Sequence, residues 1–366
     1  MDSRYADVNV VVYFAGNMGN IYQIEQWIKP LEQLNKIEKI LIVTRDTHIY
    51  EWIERNTQFQ LVYAKTMSTL LKLYENNRFR CILYVNNSCS NFQSLSNNTA
   101  LHVHINHGES EKTSTFSNRA KAYDFVFIVS DAAYKKYSDN LINIDMNKFI
   151  KVGRPQIDFI ESIERPTKDK KIILYAPTWE GTHHSMNYTS LPKYGIDFVK
   201  KILAHKDYHL IYRPHPNTGS RDSDTKQIDK QIKRMVGKSD SGTVMTSESI
   251  NSVFELTDLA IFDNSAVTVD FLSFDKPMMI TDFFYRQEGQ AAAKPEIVKA
   301  CKIINDDNKD DILNLIEEGL SKDPQAIPRK AIRKYFLGDY ARGESTKAFI
   351  SEIQKLIKLA EKLVAR

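Results

Sequence analysis

At 366 residues the chain is too long for one ordinary core and fits two domains. With 42% hydrophobic and 26% charged residues, 13 Gly and 11 Pro, it reads as a folded globular protein, and long disorder is excluded. A formal net charge of only +4 excludes a strongly cationic nucleic-acid binder and leaves room for local basic patches.

Taken in chain order, short apolar, β-branched runs begin near Val8, Ile37, Leu61, Cys81, Leu101 and Phe125. A second series begins near Ile172, Leu210, Val244, Leu259 and Met278. Helical patterns lie between them, at Ile21 to Asn35, Ser68 to Asn77, Ile196 to His205 and Asp310 to Ser321. This alternation predicts an α/β fold of parallel sheets covered by helices. The change of series falls at Gly153-Arg154-Pro155 and runs on to the charged stretch Glu164 to Lys171, where Pro155 and Pro166 interrupt regular structure. The expected organisation is an N-terminal domain over 1–152, a C-terminal domain over 153–340, and a closing helix over 341–366.

Asn86 to Asn98 is rich in Asn and Ser and reads as a surface loop. In the last segment Phe349, Ile350, Ile353, Leu356, Ile357, Leu359, Ala360 and Leu363 fall mostly on one helical stripe, with Lys347, Lys355, Lys358 and Lys362 elsewhere. Such a helix packs back over the protein or presents a basic amphipathic face to anionic lipid. The cysteines Cys81, Cys89 and Cys301 are odd in number, widely spaced and form no CxxC, which points to a reducing compartment. Met1-Asp2-Ser3-Arg4 lacks the features of a signal peptide, and the first apolar run, Val10 to Ala15, is too short to cross a bilayer. The expected location is cytoplasmic.

In open parallel α/β sheets, ligands bind beyond the carboxyl ends of the strands. Four segments place polar residues there. In Leu101-His-Val-His-Ile-Asn-His-Gly-Glu-Ser110, strand alternation puts His102, His104 and Asn106 on one face, and both histidines read as buried, hydrogen-bonded strand residues. His107-Gly108 leaves the strand end, where glycine allows a sharp turn and a neutral imidazole suits a general base for an alcohol. A metal site from this His cluster lacks a local carboxylate, so no metal is expected.

The second segment, Ile172 to Gly181, runs from an apolar strand into Ala176-Pro177-Thr178-Trp179 and a polar loop through His183, His184 and Asn187. The third, His209 to Asn217, ends in Arg213-Pro214-His215-Pro216, where two prolines fix the backbone around two donors suited to a phosphate oxyanion. In the fourth, Asp258 to Leu272, a strand closes at Asp263 and Ser265 opens a helix whose N–H groups, with Thr268, suit phosphate. Ser265 also reads as a helix cap. Gly16-Asn17-Met18-Gly19-Asn20 follows the first strand as a possible acceptor-side loop. No GxGxxG follows that strand and no GxxxxGK[ST] occurs, so hydride-transfer and P-loop chemistry have no support.

Together the segments resemble the CDP-glycerol glycerophosphotransferase family, which includes teichoic-acid primases and polymerases and capsule phosphopolyol transferases. The resemblance runs through His107-Gly108, Ala176-Pro177-Thr178-Trp179, Arg213-x-His215-Pro216, Asp263-x-Ser265 with Asp270, and Asp275-Lys276-Pro277. It extends to Gly153-Arg154-Pro155-Gln156-x-Asp158 and Gly343-Glu344-Ser345. It implies a GT-B-like fold, with two Rossmann-like domains facing across a cleft: an acceptor-side domain first, a CDP-donor-binding domain second. It implies that His107 is the acceptor-side base, with Gly108, Glu109 and Asn17 beside it. His215 would contact the donor phosphates, with Arg213, Thr178, Asp263, Ser265, Thr268 and Ser345 on the donor side. Ala266 and Asn264 depart from the family's pattern, which leaves the polyol open.

The implied reaction passes a polyol phosphate from a CDP-polyol, CDP-glycerol or CDP-ribitol, to a hydroxyl of a glycan or lipid-linked saccharide acceptor. No cofactor, metal or nucleic acid is expected, and peripheral contact with the inner membrane face stays open, packing of the last helix on the protein being favoured. A single-addition enzyme is favoured over a polymerase. The alternatives are a GT-B glycosyltransferase using a nucleotide sugar and a non-catalytic nucleotide-binding partner.

Overall fold

A computed structural model describes residues 3–108, 117–181, 187–283 and 295–365. The chain forms two compact units, and among the described residues the first comprises 3–108, 117–159 and 338–365, the second 160–181, 187–283 and 295–337.

The first unit contains β1 (Val8–Phe14), α1 (Ile21–Glu25), α2 (Ile28–Asn35), β2 (Lys39–Thr44), α3 (Thr47–Asn56), β3 (Gln60–Tyr63), α4 (Met67–Glu75), β4 (Cys81–Tyr84), β5 (Leu101–His104), β6 (Phe125–Ile128), α5 (Asp131–Asn140) and β7 (Phe149–Lys151). The strands pair in parallel in the order β3-β2-β1-β4-β5-β6-β7. Alternation divides β1 between two cores: Val10, Val12 and Phe14 face one, Val11 and Tyr13 the other. A sheet buried on both faces explains why its strands read as continuous apolar runs.

Two expectations change here. The helical pattern from Ile21 to Asn35 breaks at Gln26-Trp27, between α1 and α2. Pro30 is the cause, because its ring would strike the Gln26 carbonyl and it has no N–H to extend the earlier helix. The stretch Asn86 to Asn98 lies at the surface but is not a plain loop: Cys89–Ser96 is a 3-10 helix, and Asn86, Asn91, Ser94 and Asn97 are buried while Phe92, Gln93 and Asn98 are exposed. Its amides replace lost water with internal bonds, Asn86 Nδ2 donating to Gln23 Oε1 at 2.9 Å and Asn91 Nδ2 to the Tyr123 hydroxyl at 3.0 Å.

The second unit contains β8 (Lys171–Ala176), α6 (Ile196–Ala204), β9 (Tyr208–Tyr212), α7 (Ser223–Gly237), β10 (Gly242–Val244), α8 (Ile250–Leu256), β11 (Leu259–Phe262), α9 (Ala266–Phe271), β12 (Met278–Thr281), β13 (Lys302–Ile304), α10 (Ile312–Ser321) and α11 (Ala326–Leu337). Its parallel sheet runs β10-β9-β8-β11-β12-β13. One face packs Ile173, Tyr175, Leu210, Tyr212, Leu259 and Ile261 against helix residues such as Phe198 and Ile316. Beside Phe262 lies an aromatic group of Phe254, Phe271 and Phe274.

The final helix α12 (Glu344–Val364) belongs to the first unit. Phe349, Ile353, Leu356 and Ile357 join the core around Trp27 and Phe127, while Lys347, Lys355, Lys358 and Lys362 are exposed. Each such apolar side chain contributes about 1.5–3 kcal/mol when buried. The helix start is tied to the 153–159 stretch. Asp158 accepts from Gly343 N at 2.9 Å, Thr346 N at 2.7 Å and the Thr346 hydroxyl at 2.6 Å, capping the helix from outside its own chain segment. Gly153, at φ +71°, lies so close that an added Cβ would stand 2.2 Å from Ser345 Oγ. Gly153 to Asp158 and Gly343 to Ser345 are therefore two halves of one clasp in the first unit. Among the described residues no helix is long and apolar enough to cross a membrane.

Candidate active site

In the first unit the chain turns at Asn106, immediately after β5. Its φ of +53° is a left-handed conformation that asparagine tolerates, so the turn is made ahead of His107 rather than at Gly108. Four bonds hold it: Trp27 Nε1 donates to Asn106 O at 2.5 Å, Asn106 Nδ2 to Gly108 O at 2.8 Å, His107 N to Asn106 Oδ1 at 2.8 Å, and Arg154 Nη2 to His107 O at 3.0 Å. Arg154 is itself buried and also reaches Gln26 Oε1 at 3.4 Å. The His107 ring meets the edge of Tyr22, with centroids 5.9 Å apart and planes at 77°.

Burial, then the Arg154 guanidinium, push the His107 imidazole down to about 4, against a hydrogen bond to the Val85 backbone that pulls it up. The ring is therefore neutral near pH 7. Its Nδ1 is buried and has no hydrogen-bond partner among the described residues.

The strand histidines differ from each other. His102 is buried and bonded at both ring nitrogens, Nδ1 to the Tyr84 hydroxyl at 2.7 Å and Nε2 to Asn97 O at 2.7 Å. His104 is buried and stacked on Tyr123, with centroids 5.1 Å apart and planes at 14°, but neither ring nitrogen has a partner. Burial, then the neighbouring His107, push it down to about 3. Asn17 is exposed and caps a turn, its Oδ1 accepting from Gly19 N at 3.0 Å. Glu109 lies outside the described residues.

In the second unit the ends of β8, β9 and β11 gather most of the residues that the resemblance assigns to the donor. Arg213 and His215 follow β9. Arg213 Nη1 donates to Met245 O at 3.1 Å and lies 3.9 Å from the Glu248 carboxylate. The His215 ring stacks on Trp179, with centroids 5.7 Å apart and planes at 14°. Its Nδ1 accepts from Asn217 N at 3.1 Å, which in the neutral ring leaves the proton on Nε2.

Asp263, at the end of β11, turns inward. Its Oδ2 accepts from Thr178 N at 2.9 Å and Ser190 N at 3.1 Å, and its Oδ1 from the Thr281 hydroxyl at 2.5 Å. Burial pushes this carboxyl up, with the Thr281 and Ser190 bonds opposing the shift. Asp263 thus ties three strand ends together and holds Thr178 by its backbone. Thr268 is buried and donates to Asp263 O at 2.8 Å. Ser265 is the N-cap of α9, yet its hydroxyl makes no cap bond and lies 3.3 Å from Thr268 Oγ1. Because α9 has only six residues, the N–H groups and small dipole at its start are a weaker phosphate site than the sequence suggests.

Thr178, Arg213, His215, Asp263, Ser265 and Thr268 thus belong to the second unit, and His107, Gly108, Asn17 and Ser345 to the first. Ser345 is buried under Gly153. His183 and His184 lie outside the described residues, as do 284–294 beyond β12. Sequence reasoning missed Glu180, a buried carboxylate that accepts from Gly219 N at 3.0 Å, Arg221 N at 2.7 Å and Asp222 N at 3.3 Å. Its position between Trp179 and Gly181, at a strand-to-loop junction, was the available signal.

Comparison with known proteins places this geometry. The family model described as CDP-Glycerol:Poly(glycerophosphate) glycerophosphotransferase matches residues 9–338. The teichoic acid ribitol-phosphate polymerase TarL of Staphylococcus aureus (strain NCTC 8325 / PS 47) is 27% identical over 116 residues, spanning 32% of this chain and 19% of that protein. The structure of the wall teichoic acid polymerase TagF aligns with a TM-score of 0.60 at 13% identity, covering 99% of this chain and 91% of that one. A glycosyltransferase from Rickettsia africae ESF-5 aligns with a TM-score of 0.58 at 11% identity, covering 97% and 100%. At such identities the likeness is one of fold, the GT-B-like α/β arrangement of two parallel sheets. The match of the family model over 9–338 is of another kind: this chain belongs to the CDP-glycerol:poly(glycerophosphate) glycerophosphotransferase family.

Proposed function

We propose that the chain transfers a polyol phosphate, in the first instance glycerol phosphate, from a CDP-activated donor to a hydroxyl of a glycan or lipid-linked acceptor. The setting is teichoic-acid or capsule synthesis, with one addition per acceptor rather than polymerisation. The observation that carries the reading is the state of His107, an imidazole presented by the turn after β5 that Asn106 and Arg154 fix, and kept neutral by burial and the Arg154 guanidinium. That is what a general base for an alcohol needs.

In this reading the His107 imidazole takes the acceptor hydroxyl's proton as the oxygen attacks the distal phosphorus of the CDP-polyol. The P–O bond to CMP breaks and CMP carries away the electron pair. His215, through Nε2–H, and Arg213 donate to the phosphate oxygens, since much of phosphoryl transfer is positioning and electrostatic stabilisation. Thr178 and Asp263 shape the strand ends beneath the donor. The work site is the cytoplasmic face of the membrane, which the exposed lysines of α12 would touch peripherally.

Incubation with CDP-glycerol, CDP-ribitol and nucleotide sugars tests this, with CMP followed by chromatography and products by mass spectrometry. A product heavier by one polyol phosphate is expected. Nucleotide release only from a nucleotide sugar sinks the reading, and long product ladders overturn single addition.

A further inference from the structure

Glu180 is 5% exposed, and a carboxylate taken out of water is costly unless charge-assisted hydrogen bonds replace its hydration. Here Oε1 accepts from Arg221 N and Asp222 N, and Oε2 from Gly219 N. These N–H groups stand directly ahead of α7, whose first turn favours negative charge. The chain's own glutamate fills that anion position.

The clamped turn carries His215. Thr218 N donates to His215 O at 2.9 Å, Ser220 N to Asn217 O at 3.1 Å, and Asn217 N to His215 Nδ1 at 3.1 Å. On its far side the turn is seated on α7, where a Cβ on Gly219 (φ +75°) would lie 2.6 Å from Lys226 Cα. Glu180 grips Gly219, Arg221 and Asp222, and its neighbour Trp179 stacks on the His215 ring. One short segment after β8 therefore holds both the ring and the turn that supplies its hydrogen bond.

We propose that Glu180 is a positioning residue for His215. By clamping the 215–222 turn it keeps Asn217 N–H on Nδ1, and so keeps the ring proton on Nε2, the nitrogen offered to the donor phosphate. This deepens the role given to His215 above and rests on it.

Two measurements on the full chain test it. The first needs no activity: ring 15N shifts of His215 in the neutral state, assigned by their loss in His215→Ala. The wild type is expected as a single tautomer with Nδ1 unprotonated, and Glu180→Gln as a mixture. One unchanged tautomer in Glu180→Gln overturns the proposal. The second is a double-mutant cycle on CMP release. Glu180→Gln is expected to lower kcat/KM on the order of 10-fold in the wild-type background. In the His215→Ala background the loss should be under about 2-fold. Equal losses in both backgrounds mean that Glu180 acts on the fold and not through His215, and overturn the proposal. If the wild type turns over no CDP-polyol, the functional reading fails and the tautomer measurement alone decides on the clamp. Should Glu180→Gln not fold, Glu180→Asp draws the carboxylate back by one methylene and is read against the same outcomes.

Discussion

Trp179 lies nearly parallel to the His215 imidazole, with centroids 5.7 Å apart and planes inclined by 14°. A stacked pair of this kind contributes about 0.5–1.5 kcal/mol beyond its buried area. Trp179→Leu keeps apolar bulk and removes the stacking face. Transfer should fall by about 3- to 10-fold with circular dichroism unchanged. His215→Ala should cost about 100-fold or more, as expected for loss of a phosphate donor. Equal effects of the two substitutions would mean that the ring acts only through packing.

Asp263 gives a sharper test, because two substitutions there should part company. Thr178 N and Ser190 N both donate to Oδ2, whereas the Thr281 hydroxyl, which can rotate to accept instead, meets Oδ1. Asp263→Asn can place its oxygen on the two N–H groups and its amide on Thr281, and should cost under about 1 kcal/mol in urea melts. Asp263→Ala leaves buried donors unsatisfied and should cost about 3 kcal/mol. A folded Asp263→Asn that retains transfer marks the residue as architectural. Its inactivity would mean that the carboxylate charge itself serves the reaction.

The parallel α/β character was legible because strands buried on both faces form apolar runs. Strands β7 and β13 escaped, since both are three-residue edge strands with lysine among them, Phe149–Lys151 and Lys302–Ile304, too short to show a pattern. His107 and His215 were legible from strand ends followed by Gly or Pro. The roles of Gly153, Asp158 and Ser345 were not, because their partners lie far away in sequence and a clasp leaves no local periodicity. The position of Glu180 at a strand-to-loop junction was legible, but its role was not, because only the fold brings the 219–222 backbone to it.

That clasp predicts its own sensitivity. Gly153→Ala adds a Cβ 2.2 Å from Ser345 Oγ at a φ of +71°, a left-handed position that costs any L-residue about 1 kcal/mol before the clash is counted. Its denaturant midpoint should drop clearly. Ser345→Gly in the same chain, which clears both the Oγ and the Cβ, should recover part of the loss but neither the backbone term nor the contact with Tyr340 Cδ2, which would lie 2.8 Å from the new Cβ.

His104 and His107 make the stability of the first unit depend on pH. Their folded values of about 3 and about 4 lie below the ordinary histidine value of about 6.5. Between these limits the unfolded chain binds more protons than the folded one, so stability is fully present above the unfolded value and is lost as pH falls toward the folded values. His104→Phe keeps the stack on Tyr123 and removes one titrating ring. Going from about pH 7 to about pH 4.5, its urea midpoint should fall less than that of the wild type. Parallel losses would show that His104 is not neutral and buried in solution.

Arg154 offers the test that ties the electrostatics to the reaction. Its guanidinium is the second cause of the low His107 value, after burial, because a positive charge nearby disfavours the imidazolium. With His107 as base, transfer at acid pH follows the unprotonated fraction, and the rate in kcat/KM should rise through about 4 and be level by neutrality. Arg154→Gln removes the charge and leaves an amide able to donate to His107 O. The imidazolium becomes less unfavourable, the folded value rises, and the acid limb should move to higher pH while His107→Ala shows no limb of this origin. A limb that stays in place in Arg154→Gln would mean that the group titrating there is not His107, and the base would have to be sought elsewhere at the end of β5.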